Sequence, residues 1–222
     1  MKNAIFIHCA ILERVDERIH QYLTKIVQSE LIDHVEYIFI SVIGDYDKIP
    51  FIKYTNDKII LLKSSPNLTD YELPTLQVLY DFCMNHEDYN VLYLHTKGVG
   101  KEINLCIEDQ VEYMTYFLIE KWRNAVQLLE QYKTVGVDLR NEPTLHYSGN
   151  FWWATSKYIS GLPCPREFNS LERYPNPLNS LRHNQEFWIC YDKQPNLHSS
   201  LYDCGIDVYS RHLVRFEKNK YM

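Results

Sequence analysis

Short apolar runs alternate with segments of helical spacing along the first half of this chain, and this alternation restricts the fold more than any other feature. We predict strands over Ala4–Leu12, Val35–Ile43, Lys58–Leu62, Val91–Leu94 and Thr134–Asp138. Helical spacing predicts helices over Asp16–Ile32, Leu73–His86, Ile107–Gln131 and Asn184–Tyr191. Strands that alternate with helices predict an α/β fold, with a mainly parallel central sheet flanked by helices and a single domain over residues 1–222.

Composition argues against some classes of partner and indicates a cellular compartment. The formal net charge of −6, with lysine and arginine scattered along the chain, argues against a nucleic-acid partner. No apolar stretch has the length of a transmembrane segment. The six cysteines are widely spaced and form no Cys-x-x-Cys pair, which predicts free thiols and a reducing, cytoplasmic setting.

Polar residues follow several of the predicted strands. Ligands of such sheets sit beyond the carboxyl ends of the strands, so His8, Asp45, Ser64-Ser65 and His95–Gly98 are expected along one edge. In the last group Lys97, helped by His95, can provide positive charge for a diphosphate, and Gly98 allows close backbone approach. A strand end followed by a solvated turn explains the same residues equally well.

A second segment, Ser148–Ala154, combines a glycine and an amide with three aromatic rings. The amide of Asn150 suits a sugar hydroxyl, and at most one of Trp152 and Trp153 can face a ligand, because neighbouring strand residues point to opposite faces. The alternative is a turn that leads into a buried aromatic strand.

Acidic residues offer two further candidates. Asp45-Tyr46-Asp47 is the only strict Asp-x-Asp of the chain, and it can hold a divalent cation or simply form a turn. Glu186 lies near Arg182 at the start of the last predicted helix, where it can act as a general base or serve as a cap or surface ion pair.

Taken together, Tyr-Leu-His95-Thr-Lys97-Gly, Gly149-Asn150-Phe-Trp-Trp153-Ala and Glu186-Phe-Trp188 resemble a group of small GT-A-like glycosyltransferases, also described as nucleotide-diphospho-sugar transferases. The resemblance runs from the first strand to about Trp188. It implies a GT-A-like fold that transfers a sugar from a nucleotide-diphosphate donor, most commonly a UDP-sugar, to a glycan or other hydroxyl acceptor.

The resemblance also implies roles for individual residues. In GT-A enzymes an Asp-x-Asp after the fourth strand binds Mn²⁺ or Mg²⁺, and His95-Thr96-Lys97 occupies that place here, so Lys97 is expected to supply the charge of the metal. Glu186 is expected to be the catalytic base. The residues expected to bind the donor are His8, Asp45, Thr75, His95, Lys97 and Gly98. Those expected to bind the sugar or the acceptor are Gly149, Asn150, Trp152, Trp153 and Arg182.

Two other functions fit the same sequence. A non-catalytic module that binds a sugar or a nucleotide sugar would keep the fold without the metal-binding acids. A nucleotidyltransferase is expected to carry a glycine-rich basic loop after the first strand, and His8-Cys9-Ala10 is not such a loop.

Overall fold

The structure is a computed structural model, and it describes residues 1–49, 56–170, 181–207 and 209–222. Its strands are β1 (Lys2–Ala10), β2 (Tyr37–Ile43), β3 (Ile59–Ser65), β4 (Tyr89–His95), β5 (Thr134–Gly136), β6 (Leu139–Arg140), β7 (His146–Tyr147), β8 (Trp152–Thr155) and β9 (His198–Ser200). The predicted strands are therefore present, with ends that differ by up to three residues.

Seven of these strands form the central sheet, in the order β3-β2-β1-β4-β8-β5-β9. The pairs β1–β2, β1–β4, β2–β3 and β5–β9 are parallel, whereas β8 is antiparallel to both of its neighbours. The prediction of a mainly parallel sheet is confirmed. Strands β6 and β7 form a separate two-stranded ribbon.

Helices cover both faces of the sheet. They are α1 (Val15–Gln28), α2 (Leu73–Asn85), α3 (Leu105–Thr115), α4 (Trp122–Leu128), α5 (Ser156–Ser160), α6 (Pro165–Ser170) and α7 (Leu181–Phe187). Side chains of β1 alternate between the two layers, as strand geometry requires. Ile5 and Ile7 pack in the core that contains Ile19 of α1, whereas Phe6 packs in the core that contains Leu76 of α2.

The prediction of one continuous helix over Ile107–Gln131 is wrong, because the helix is interrupted. A π-helical turn, Tyr116–Glu120, separates α3 from α4. The indole nitrogen of Trp153 donates to the carbonyl oxygen of Leu118 at 2.9 Å, so a side chain from the sheet contacts the backbone of this turn. A side chain that enters the helical hydrogen-bond ladder is a common cause of such interruptions.

The final segment of the chain is fixed against α3. The Arg215 guanidinium pairs with the carboxylate of Asp109, and the backbone nitrogen of Phe216 donates to the same carboxylate at 3.0 Å. Lys218 pairs with Glu112 at 3.0 Å. This segment therefore belongs to the layer that packs on α3.

The six cysteines are all free thiols. Of the helices in the described ranges, none is both long enough and apolar enough to span a bilayer.

Strand order determines where a ligand can enter. The chain proceeds from β1 to β2 and β3 on one side, and then places β4 on the other side of β1. Such a reversal opens a crevice outside the carboxyl ends of the two central strands. His8 and His95 are register partners near these ends.

Candidate functional site

A cavity of about 340 Å³ lies at this crevice, and we call it the switch-point cleft. Residues from the ends of β1, β2 and β4 and from the start of α2 line it. They are His8, Ala10, Leu12, Ile43, Leu68, Tyr71, Glu72, His95, Thr96, Lys97, Gly98, Val99, Gly100 and Arg182. The edge predicted from the strand ends therefore carries a cleft, and four of the six expected donor-binding residues line it.

His8 lies on the β1 side of the cleft and is held by a chain of hydroxyl groups. Its Nδ1 is 2.8 Å from the Thr75 hydroxyl, which donates to Ser41 at 2.8 Å, and Ser41 in turn contacts Ser64 at 2.6 Å. Because the Thr75 proton points to Ser41, His8 must donate through Nδ1. Its Nε2 is then an acceptor, and Thr75 positions His8 without lining the cleft.

His95 lies beside His8, at the end of the neighbouring strand β4. Its Nε2 is 3.0 Å from the carbonyl oxygen of Gly149, and a carbonyl can only accept, so this nitrogen carries the proton. Burial and, to a smaller extent, the nearby charge of Lys97 lower the pKa of His95 to about 3. Burial likewise lowers the pKa of His8 to about 4. Both rings are neutral near pH 7, so the expectation that His95 adds positive charge is wrong.

The turn after β4 is hydrogen-bonded to β1 and packs closely on α3. The hydroxyl of Thr96 accepts from the backbone nitrogen of Ala10 at 3.1 Å. The backbone nitrogen of Thr96 donates to the carbonyl oxygen of His8 at 2.9 Å. Gly98 has a φ of 72°, and a Cβ there would lie 2.7 Å from a methyl group of Ile107. The turn therefore requires glycine at this position.

Lys97 supplies an ammonium group to the cleft. Its side chain is half-buried, and this burial lowers its pKa, whereas the charge of Glu186 raises it. Glu186 is half-buried on α7 and does not line the cleft. Its clearest effect in the structure is electrostatic, since it favours the protonated form of Lys97.

Arg182 adds a second cation at the outer side of the cleft. Its side chain is exposed, and the guanidinium lies 6.0 Å from the centre of the Tyr71 ring. Both residues line the cleft. Lys97 and Arg182 therefore give the cleft a cationic rim.

Glu72 is a cleft residue that the sequence did not single out. It is 5% exposed, and its Oε2 accepts from the Tyr93 hydroxyl at 2.7 Å and from the Asn150 amide at 2.6 Å. Its Oε1 lies 4.0 Å from Nδ1 of His95. The only local signal was an acidic residue just before the Pro74 turn, and such residues are common at helix starts.

The expected sugar-binding segment lies behind the cleft wall. The amide of Asn150 is used within the protein, since its nitrogen binds Glu72 and its oxygen accepts from the Trp152 indole at 2.9 Å. Gly149 has a φ of 96° and packs against Met114. The contacts that Gly149 and Asn150 make within the protein fix His95 and Glu72, and their predicted contacts with a sugar stay a prediction.

Neither tryptophan faces a ligand. Trp152 and Trp153 point to opposite faces of β8, as predicted, but both are fully buried. Trp152 stacks on Tyr93 with a centroid distance of 5.0 Å, whereas Trp153 packs on the side of α3. The prediction that one of them shapes a sugar pocket is wrong, because the sheet is covered by helices on both faces.

Asp45 forms a turn outside the cleft. Its side chain accepts from the backbone nitrogen of Asp47 at 3.2 Å and pairs with Lys48 at 3.0 Å. The hydrogen bond from Lys48 lowers the pKa of Asp45. Asp45 is exposed and does not line the cleft, so the structure agrees with the turn interpretation, and the predicted contact with a donor stays a prediction.

The residues after β4 do not fit a divalent cation. Nδ1 of His95 keeps a free lone pair, but Lys97 brings an ammonium where a carboxylate would be required, and this charge repels a cation. Elsewhere in the described ranges, Asp138, Asp203 and Cys204 have ligand atoms within 4.8 Å of one another. The Arg140 guanidinium already pairs with both aspartates, at 3.3 and 2.6 Å, so a cation would have to displace it.

A larger cavity of about 460 Å³ lies beside this acidic group and includes Arg140 and Asp203. Its cation, Arg140, is already paired with Asp203. We therefore regard the switch-point cleft, whose cations and acceptors face open space, as the functional site.

Comparison with known proteins identifies a family. The family model of a domain of unknown function, DUF8361, matches residues 5–201. The chain belongs to the DUF8361 family. All residues that line the switch-point cleft fall within the matched range. The crystal structure of Rv0371c from Mycobacterium tuberculosis H37Rv is similar with a TM-score of 0.44 and 8% identity over 96% of each chain. No curated protein matches the chain.

Proposed function

We propose that this protein transfers a sugar from a nucleotide-diphosphate donor to a hydroxyl acceptor in the switch-point cleft. The proposal rests on one observation: a single cavity has a cationic rim and a wall of hydrogen-bond acceptors. Lys97 and Arg182 form the rim, and His8, Glu72 and His95 form the wall. A ligand that satisfies both must carry negative charge at one end and many hydroxyl donors at the other.

The rim suits a diphosphate. Lysine and arginine bind phosphate oxygens through charge-assisted hydrogen bonds. When the bond between the sugar and the diphosphate breaks, negative charge grows on the leaving oxygen. The ammonium of Lys97 is held at the turn after β4, where it can stabilise that charge. In this proposal Lys97 serves in place of a metal ion.

The wall suits a sugar. The free nitrogens of neutral His8 and His95 accept hydrogen bonds, and so does Oε1 of Glu72. Acceptors buried in a cleft favour ligands that bring hydroxyl or amino hydrogens. An apolar ligand would leave these acceptors without partners, and a phosphate against this wall would be repelled by Glu72.

The experiment is a titration calorimetry panel with UDP-, GDP- and dTDP-sugars, each in the presence of Mn²⁺ or of EDTA. We expect binding of at least one nucleotide sugar, with similar affinity in both conditions. The Lys97→Ala variant should bind at least tenfold more weakly, which corresponds to about 1.4 kcal/mol for a charge-assisted contact. Lys101→Ala removes an exposed cation of the same loop and is the matched control. Lack of binding to every compound would refute the proposal.

A non-catalytic binding module is the second candidate. The observation that favours it is the absence of an acidic pair after β4, where Lys97 stands instead. The same panel distinguishes the two, since the wild type would then bind a nucleotide sugar but release no free nucleoside diphosphate in a coupled assay, with or without added acceptors.

A further inference from the structure

The wall of the switch-point cleft contains two acceptors that face each other without a donor between them. Oε2 of Glu72 is saturated by Tyr93 and Asn150, both of which donate to it. Burial and the nearby Glu72 raise the pKa of Tyr93 well above its usual value, so its hydroxyl keeps the proton that it donates. Oε1 of Glu72 is the oxygen that remains.

His95 presents its own free acceptor to this oxygen. Its proton lies on Nε2, which donates to Gly149 at 3.0 Å, so Nδ1 carries a lone pair. Nδ1 and Oε1 of Glu72 are 4.0 Å apart, which is too long for a direct hydrogen bond. In the part of the chain that the structure describes, no other side chain donates to either atom.

Two facing acceptors are unfavourable unless a ligand brings hydrogens to them. Water can supply both from one molecule, and a saccharide can supply them from neighbouring hydroxyls. Each such ligand is also a nucleophile for a sugar donor bound at the cationic rim.

We propose that Glu72, with His95 beside it, binds the attacking hydroxyl or water and is the general base of the reaction, in place of Glu186. This assignment rests on the proposed function. The nucleophile's oxygen forms a bond to the anomeric carbon, and its proton moves to Oε1 of Glu72. The bond from that carbon to the diphosphate oxygen breaks, and its electron pair leaves on the diphosphate beside Lys97.

The contacts of Glu186 fit a different role. Its charge favours protonation of Lys97, and it does not line the cleft. Glu72 is the carboxylate whose second oxygen lies at the cleft wall. The same substitution at Glu72 and at Glu186 can therefore distinguish the roles of these two side chains.

The decisive variant is Glu72→Gln. The carbonyl oxygen of the new amide keeps the two donors Tyr93 and Asn150, and its nitrogen points to Nδ1 of His95. The substitution thus removes the base while it keeps the shape of the side chain and its two donors. We expect turnover lower by about 100-fold or more, with affinity for the nucleotide sugar within about threefold of wild type.

Two controls accompany it. Glu102→Gln changes an exposed carboxylate on the loop after the cleft and should leave melting temperature and turnover unchanged. Glu186→Gln should reduce turnover less than tenfold, since it alters only the charge near Lys97. Loss of turnover in Glu186→Gln combined with normal turnover in Glu72→Gln would overturn the assignment.

Binding and turnover by the wild type separate this inference from the proposed function. A wild type that neither binds nor turns over any nucleotide sugar refutes the function, whatever Glu72→Gln does. A wild type that turns over a nucleotide sugar, together with a Glu72→Gln variant that keeps this turnover, overturns the assignment of the base and leaves the function standing.

Discussion

The two buried histidines should make this protein lose stability in mild acid. The native pKa values of His8 and His95 are about 4 and about 3, because burial disfavours the charged rings, whereas an unfolded histidine titrates near 6.5. Below pH 6.5 the unfolded chain takes up protons that the native protein does not, so stability falls with pH. The stabilisation is fully present above pH 6.5 and is lost on the way down to the native pKa values.

The magnitude follows from the width of this window. Each ring contributes up to about 1.4 kcal/mol per pH unit, and an unfolded histidine is only half protonated at about pH 6.5. A change from pH 6.5 to 5.0 therefore costs about 1.6 kcal/mol for each ring and about 3 kcal/mol for both. That is a large part of the 5–15 kcal/mol that separates typical folded and unfolded states. Urea unfolding at the two pH values measures the difference directly.

Isosteric variants assign the effect to its source. His8→Asn retains a donor toward Thr75, and His95→Gln retains a donor toward the Gly149 carbonyl, but neither amide takes up a proton. Each variant should lose about 1.6 kcal/mol less than wild type between pH 6.5 and 5.0. His212→Gln replaces an exposed ring and controls for histidine loss in general. The reasoning is refuted if the variants keep the full wild-type dependence on pH.

Three further measurements test the packing behind the cleft. Gly149→Ala should lower the free energy of unfolding by at least about 1 kcal/mol, because φ is 96° and the new methyl group would lie 2.6 Å from the sulfur of Met114. Gly100→Ala is the control and should have no such effect, because no atom lies within 4 Å of the added methyl group. Trp153→Phe should cost about 1–3 kcal/mol in urea unfolding by leaving the Leu118 carbonyl without its donor, with nucleotide-sugar affinity unchanged. A thiol reagent should label only three of the six cysteines quickly in the native protein, because the buried thiols are Cys9, Cys83 and Cys190; fast labelling of any of these three would contradict the structure.

The parts of the fold that local patterns encode were predictable. Fully apolar runs such as that of β4 indicate strands buried on both faces, and the ends of these strands correctly indicated the edge that carries the cleft. The same patterns could not show the break between α3 and α4, because it depends on Trp153, which lies far away in the sequence. Helical spacing is a local signal, whereas this contact is tertiary.

The candidate site was predictable in place but not in chemistry. The sequence predicted that His95 lies at a strand end. The charge of His95 depends on how deeply the ring is buried, and the spacing of residues in the sequence does not show this. Asn150 had the right chemistry for a sugar, but its amide is already used by Glu72 and Trp152. Glu72 itself has no distinguishing local pattern and becomes notable only through its donors and its distance to His95.

The neutrality of the wall fixes the direction in which a ligand can enter the cleft. Charged histidines would attract phosphate to the wall, and the diphosphate could then bind at either end. With both rings neutral and Glu72 beside them, negative charge is favoured only at the rim, near Lys97 and Arg182. On the proposed function, the hydroxyl-bearing part of the ligand would therefore point inward. On this argument a free nucleoside diphosphate should leave the wall acceptors unfilled and bind more weakly than the corresponding nucleotide sugar, and the difference should shrink in Glu72→Gln.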